Sequence, residues 1–132
     1  MPIPRRTLVF FDIDGTLVQM AGAGRRAFSM ALGDVFGLDD DISYIRFSGA
    51  TDLDVLDQIA RRHDLTLSED KTRAFFAAMD SRLEQTLADA EPVVFPGVPE
   101  LLRLLAADDH FILGLVTGNI ESCARRKLAC FD

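Results

Sequence analysis

Two short apolar segments constrain the fold of this chain more than any other feature. They read TLVFF, which ends at Phe11, and FILGLV, at residues 111–116, and both are rich in residues that favour β-strands. Continuous apolar strands are typical of a parallel sheet that is covered on both faces. The sequence therefore predicts an α/β fold in which both segments are central strands. Two strands alone form an incomplete parallel sheet, whose edges and faces we expect to be left uncovered.

Polar residues and glycine follow each predicted strand. The first strand is followed by Asp12, Asp14, Gly15 and Thr16, and the second by Thr117, Gly118 and Asn119. Because ligands bind beyond the carboxyl ends of parallel strands, we expect these two loops to form one site. Gly15 allows the chain to turn directly after the two carboxylates, which can bring both to one pocket.

The two loops combine groups that suit a cation and an anion. The carboxylates of Asp12 and Asp14 can bind a hard cation, act as nucleophile, or serve as acid and base. The hydroxyls of Thr16 and Thr117, with the backbone N–H groups of the turns, can hold an anion. This combination predicts phosphoryl transfer with Mg²⁺ as the cation.

Apolar periodicity predicts a block of helices between the two strands. The first places Phe28 and Leu32 on one face, and a capping box from Thr51 to Asp54 opens the second, whose predicted apolar stripe includes Leu53. Ser68 opens a third helix with apolar residues every four positions. EPVVFPGVPE follows as a proline-rich junction, and Pro99 begins a further helix.

The helical block divides the chain into two predicted units. Residues 18–91 are interpreted as an inserted α-helical cap. Residues 1–17 and 92–132 are interpreted as a Rossmann-like core.

Several sequence motifs resemble those of a known superfamily. FDIDGTL and LVTGN resemble the first and second signatures of the haloacid dehalogenase-like (HAD) superfamily. The helical insertion, RFSGATDLDVL and FPGVPELLRLL are similar to its phosphoglycolate phosphatase-like branch. The resemblance covers nearly the whole chain and implies a HAD-like Rossmannoid core with a helical cap, acting as a phosphoric monoester hydrolase.

The resemblance also implies roles for individual residues. Asp12 would attack phosphorus to form an aspartyl-phosphate, and Asp14 would protonate the leaving oxygen and then activate water. The Asp12 carboxylate and the Asp14 main-chain carbonyl would bind Mg²⁺. Thr117 and the amides of Gly118 and Asn119 would hold the phosphate of a small metabolite such as phosphoglycolate.

In the superfamily, the third motif is a lysine or arginine and the fourth is an acidic pair. Both lie on strands that come later than the two predicted in this sequence. We therefore expect the chain to be the N-terminal part of a phosphatase. Lys127, in the helix after the second motif, is interpreted as an ordinary surface lysine. The alternatives are a non-catalytic fragment or interaction module and a phosphomutase of the same branch.

Composition limits the partners and the compartment. The chain has 14 basic and 21 acidic residues, a net charge of −7, which argues against binding to nucleic acid or to an anionic membrane. No apolar run reaches the length of a membrane-spanning helix. Cys123 and Cys130 lie seven residues apart in a predicted helix, too far for a disulfide. These features favour a cytoplasmic protein, and they do not specify its oligomeric state.

Other polar residues have simpler interpretations. His63 and His110 are predicted to take surface or capping roles, and residues 39–41, three consecutive aspartates, to form a solvated charge run. Gly22 and Gly24 could act as hinges of the cap. Arg46 and the turn at residues 49–51 are either substrate contacts or part of a plain interhelical loop.

Overall fold

The computed structural model of the chain describes residues 1 and 3–131. The elements, in chain order, are β1 (Thr7–Phe11), β2 (Val18–Gln19), α1 (Ala23–Phe36), α2 (Asp52–Arg62), α3 (Glu69–Ala88), β3 (Val93–Val94), α4 (Val98–Ala106), β4 (Phe111–Leu115) and α5 (Glu121–Ala129). This is the α/β arrangement that the sequence predicts.

The two predicted strands, β1 and β4, are parallel neighbours. Thr7 lies opposite Phe111 and Phe11 opposite Leu115, and the Val116 N–H donates to the Phe11 carbonyl at 2.9 Å. Because the strands end in register, the loops that follow them leave the same edge of the sheet. The predicted pairing is therefore confirmed.

The faces of these strands are partly uncovered in the described residues, as the prediction of an incomplete sheet expects. Leu8 and Phe10 on β1 are 58% and 59% exposed, and Ile112 on β4 is 42% exposed. An apolar run indicates a strand that can be buried on two sides, but it does not specify which element covers it.

A second strand pair joins the two crossings between core and cap. Val18 lies opposite Val94 and Gln19 opposite Val93 in an antiparallel ribbon, and the Phe95 N–H donates to the Leu17 carbonyl at 3.0 Å. The sequence indicated only a rigid junction here, because strands of two residues are too short to show periodicity. The boundaries at residues 17/18 and 91/92 stay a prediction.

The helical block has a core of its own. Helices α1 and α3 pack together through Phe28 and Phe75, whose ring centroids lie 4.8 Å apart and whose side chains are fully buried. Met79 and Leu83 on α3 are also buried, as their spacing predicts. None of the described helices is long and apolar enough to cross a membrane.

Two predicted helix starts are confirmed. Thr51 Oγ1 accepts from the Asp54 N–H at 3.1 Å, and Ser68 Oγ accepts from the Lys71 N–H at 3.1 Å. The predicted stripe of α2 is wrong at Leu53, which is 54% exposed. In the structure the buried side of α2 is formed by Val55, Leu56, Ile59 and Ala60.

The predicted solvated charge run is wrong at Asp40, which is half-buried. Its carboxylate accepts from the Tyr44 hydroxyl at 2.6 Å and the Ile42 N–H at 2.8 Å, and it lies 2.7 Å from Nε2 of His63. The Tyr44 hydrogen bond is the largest influence and, with His63 and against the effect of burial, lowers the pKa of Asp40 to about 2. His63 caps the end of α2, as expected, so Asp40 ties the α1–α2 loop to that helix end.

We expect Asp40→Asn to destabilise the chain by about 1 to 2 kcal/mol at neutral pH. The folded pKa of Asp40 is below the unfolded value of 3.8, so its stabilisation is present above pH 3.8 and is lost as the pH falls through about 2. Urea unfolding between pH 7 and pH 2 measures this difference, which should shrink toward low pH. Asp39→Asn, at the exposed neighbour, is the control, and an equal loss in both variants would contradict the assignment.

Candidate active site

The two loops after β1 and β4 meet at one cavity of about 660 Å³. Of the residues that the sequence assigned to the two loops, those that line it are Asp12, Asp14, Gly15, Thr117, Gly118 and Asn119. Thr16 is exposed beside the first loop and is not part of the lining. The structure thus brings together both carboxylates and the whole second loop, while the chemical roles of these residues stay predictions.

The first loop presents both carboxylates to the cavity because the residue between them points the other way. Ile13 is fully buried, and alternate residues of an extended segment face opposite sides. The carbonyl of Ile13 accepts from the N–H groups of Leu17 and Val18, so the chain turns tightly after Asp14. Gly15 makes this turn with φ of +77°, a conformation that favours glycine.

Lys127 lies at the centre of the site, so its interpretation as a surface lysine is wrong. Only 5% of the residue is exposed, and its Nζ lies 2.8 Å from Asp14 Oδ2 and 2.6 Å from Asn119 Oδ1. Helix α5 starts directly after the second loop, and Lys127 shares the buried side of this helix with Cys123 and Ala124. That i, i+3, i+4 spacing is the sequence signal that could have identified it.

Asn119 connects the second loop to the first. Its Nδ2 donates to Asp14 Oδ2 at 2.8 Å and to Thr117 Oγ1 at 2.7 Å, while its Oδ1 accepts from Lys127. The side chains of Asp14, Asn119 and Lys127 therefore hold one another in a closed arrangement drawn from two loops and a helix.

The cap contributes its own residues to the cavity. Phe47, Ser48 and the turn at residues 49–51 line it, whereas Arg46 is exposed and lies outside the lining. The cationic side chain that the cap does supply is Arg25, which the sequence did not indicate. Its guanidinium donates to the carbonyls of Ile42 and Ile45 at 2.5 and 3.0 Å and lies 4.7 Å from the Phe47 ring centroid.

Two glycines of the cap entry also line the cavity. Gly22 is the N-cap of α1 with φ of +80°, and a Cβ on Gly24 would lie 3.4 Å from Lys127 Nζ. Gly24 therefore leaves room for the lysine. The hinge role of both glycines stays a prediction.

Asp52 is a buried acid that the sequence did not single out. It is 7% exposed, and its Oδ2 accepts from the Ile120 N–H at 2.9 Å. Burial raises the pKa of Asp52, while the Ile120 N–H and the nearby charge of Lys127 act in the opposite direction. As the first residue of α2, it resembles the exposed acids that commonly begin helices, which is why the pattern gave no signal.

The oxygen donors at the cavity could supply some of the ligands of a hard cation. Asp12 and Asp14 supply carboxylate and carbonyl oxygens, and Mg²⁺ is usually held by one or two carboxylates together with water and substrate phosphate. Among the described residues there is no group of three or more His, Cys, Asp or Glu that could hold a metal. The donor set therefore fits a cation that shares its coordination with a phosphorylated ligand.

A parallel strand pair, a block of helices inserted between the two strands and a carboxylate-lined cavity at the strand ends define a capped α/β domain. The family model for haloacid dehalogenase-like hydrolases matches residues 9–132, so the chain belongs to this family. No curated protein matches the chain in a sequence comparison.

Solved structures share this fold at low sequence identity. A predicted phosphoglycolate phosphatase from Haemophilus somnus matches with a TM-score of 0.63 and 23% identity over 98% of this chain and 58% of its own. CbbY from Rhodobacter sphaeroides, solved with phosphate, matches with a TM-score of 0.70 and 20% identity over 92% and 55%. A hydrolase from Pseudomonas syringae matches with a TM-score of 0.71 and 19% identity over 95% and 55%. The chain thus spans little more than half the length of these proteins.

The buried position of Lys127 predicts slow chemical modification. Lys71 and Lys127 are the two lysines of the chain, and Lys71 is exposed. With an amine-acylating reagent at limiting dose, we expect Lys71 to be modified at least about tenfold faster, because Lys127 has to break charge-assisted hydrogen bonds first. Peptide mass spectrometry measures both rates in one sample, and Asp14→Asn should speed the reaction of Lys127. Equal rates at the two lysines would contradict the described site.

Proposed function

We propose that this chain carries the nucleophile, acid and base, and phosphate-binding loop of a Mg²⁺-dependent phosphomonoester hydrolase that acts on a small phosphorylated metabolite. The observation that supports it most is the convergence of Asp12, Asp14, the loop at residues 117–119 and Lys127 on one cavity. Family membership and the fold of the structural relatives support the same class of reaction.

Asp12 is assigned as the nucleophile. The Ile13 N–H donates to its Oδ1 at 2.8 Å, which fixes the orientation of the carboxylate, and we assign Oδ2 as the attacking oxygen. A bond forms between Oδ2 and phosphorus while the bond from phosphorus to the leaving oxygen breaks. In the second step water attacks phosphorus, inorganic phosphate leaves, and the Asp12 carboxylate is restored.

Asp14 is assigned as the group that moves the proton. Its Oδ2 accepts from Lys127 and Asn119, so Oδ1 is the oxygen assigned to give a proton to the leaving oxygen. It takes a proton back from the attacking water in the second step, which balances the reaction. The two donors hold the carboxyl in one orientation through both steps.

Lys127 and the second loop are assigned to the charge of the phosphoryl group. Lys127 lines the cavity, and so does Thr117, whose hydroxyl oxygen accepts from the Asn119 N–H at 3.1 Å and from Asn119 Nδ2 at 2.7 Å. Groups already fixed in place stabilise developing charge without further reorganisation. The Asp12 carboxylate and the Asp14 main-chain carbonyl would hold Mg²⁺, which would supply further positive charge for the phosphoryl group.

The proposal predicts Mg²⁺-dependent release of inorganic phosphate by purified chain 1–132 from p-nitrophenyl phosphate and from phosphoglycolate. Asp12→Asn should reduce the rate at least about a thousandfold, as is usual when a nucleophile is removed. A chelator should abolish the activity, and added Mg²⁺ should restore it. If the wild-type chain is no more active than the Asp12→Asn variant, the hydrolase proposal fails for this chain and the non-catalytic alternative is favoured.

The same assay separates hydrolysis from phosphoryl return. A phosphomutase would pass the phosphoryl group from Asp12 back to a sugar phosphate and release little phosphate to water. Following ³²P-labelled phosphate and sugar phosphate in parallel distinguishes the two reactions. Faster transfer to the sugar phosphate than to water would contradict the hydrolase proposal.

Removal of the Lys127 ammonium should impair catalysis more than folding. We expect Lys127→Met to lower kcat/KM about a hundredfold, because a positioned charge at the phosphoryl group is lost. Lys71→Met is the matched control, because Lys71 is an exposed lysine in α3. Its kcat/KM should stay within about twofold of wild type. Thermal unfolding of both variants checks the fold, and equal rates for the two folded variants would show that Lys127 takes no part.

A further inference from the structure

Asp52 of the cap makes two hydrogen bonds to the second loop of the site. Its N–H donates to the Gly118 carbonyl at 2.9 Å, and its Oδ2 accepts from the Ile120 N–H at 2.9 Å. These two bonds enclose Asn119, the residue whose side chain holds Asp14 and Lys127. One cap residue is therefore hydrogen-bonded to the loop on both sides of Asn119.

The burial of Asp52 distinguishes it from its neighbour Asp54. Both acids lie in the first turn of α2, but Asp54 is exposed while Asp52 is 7% exposed. A buried carboxylate is unfavourable unless hydrogen bonds and charges compensate it, and here the Ile120 N–H, the start of α2 and Lys127 do so. An acid that served only to begin the helix would need none of this burial.

A second contact between cap and loop is independent of Asp52. A Cβ on Gly118 would overlap the carbonyl oxygen of Ala50 and lie 3.0 Å from Thr51 Cα. The backbone of the cap turn occupies the space that a side chain at position 118 would need. Residue 118 has to be glycine for the cap to dock as it does.

We propose that Asp52 is a positioning residue that couples docking of the helical cap to the shape of the loop at residues 117–120. When the cap docks, Asp52 fixes the backbone on either side of Asn119, and Asn119 then orients Asp14 and Lys127. By linkage, an anion that binds the shaped loop favours the docked cap to the same extent that docking favours the anion. Only this anion-binding part rests on the proposed function; the coupling of cap and loop does not.

Amide hydrogen exchange tests the coupling without substrate. In Asp52→Ala we expect the Ile120 amide to exchange about tenfold faster or more, because it loses a charge-assisted acceptor. Asp52→Asn should recover most of the protection, since its amide oxygen can still accept. Asp54→Ala is the matched control in the same helical turn and should stay within about twofold of wild type.

Gly118→Ala is a second way to separate the cap turn from the loop at residues 117–120. Its Cβ should push the cap turn away and raise exchange at the Ile120 and Asp52 amides, although Asp52 itself is unchanged. This variant keeps the test decisive if Asp52→Ala does not fold. The proposal is overturned if Ile120 exchanges alike in Asp52→Ala and Asp54→Ala, or if Gly118→Ala keeps wild-type protection at both amides.

Titration with inorganic phosphate in the presence of Mg²⁺ tests the link to the site. We expect Asp52→Ala to weaken phosphate binding about tenfold, with KM raised more than kcat is lowered, while Asp54→Ala has no such effect. If exchange at Ile120 changes in Asp52→Ala as expected but the wild-type chain does not bind phosphate, the proposed function fails and the coupling of cap and loop stands. Unchanged exchange with normal hydrolysis would count against the coupling alone.

Discussion

The arrangement of the candidate site depends on the buried ammonium of Lys127. Taking such a charge out of water costs several kcal/mol unless partners compensate it, so its two acceptors are structural requirements. Asp14 comes from the loop after β1, Asn119 from the loop after β4, and Lys127 from α5. The Lys127 ammonium therefore holds the loop after β1 against the loop after β4 and α5. The absence of a side chain at Gly24 leaves space for this ammonium.

The cap and the sheet contribute differently to the fold. The largest fully buried side chains lie mostly in the helical block, with Phe28 and Phe75 in contact, whereas Leu8 and Phe10 on β1 are more than half exposed. Burial of an aromatic side chain is among the largest stabilising terms that one residue can supply. The cap thus has the more complete core, and the sheet mainly sets the direction of the two loops. The contacts of Asp52 and Gly118 join these two parts at the site.

The sequence predicted the features that depend on local pattern. Apolar runs identified β1 and β4, capping residues identified the starts of α2 and α3, and polar strand ends identified the two loops. It did not predict Lys127, Asp52 or Arg25 at the cavity, because each is held there by a residue that is distant in sequence. Ile42 lies 17 residues from Arg25, Ile120 lies 68 residues from Asp52, and Asp14 lies 113 residues from Lys127. The exposed face of the sheet was expected, because two apolar strands alone cannot cover each other's faces.

The charges around the cavity bear on the need for a metal. Its lining contains three carboxylates, Asp12, Asp14 and Asp52, and two cations, Arg25 and Lys127. Arg25 and Lys127 keep their charges while they donate to backbone carbonyls and to Asp14, so the five groups, when all are ionised, sum to −1 before a phosphate dianion enters. Like charges this close repel strongly where water is partly excluded. A divalent cation in the cavity would offset that repulsion, so the charges of this chain's own residues give a physical argument for the Mg²⁺ dependence that we propose.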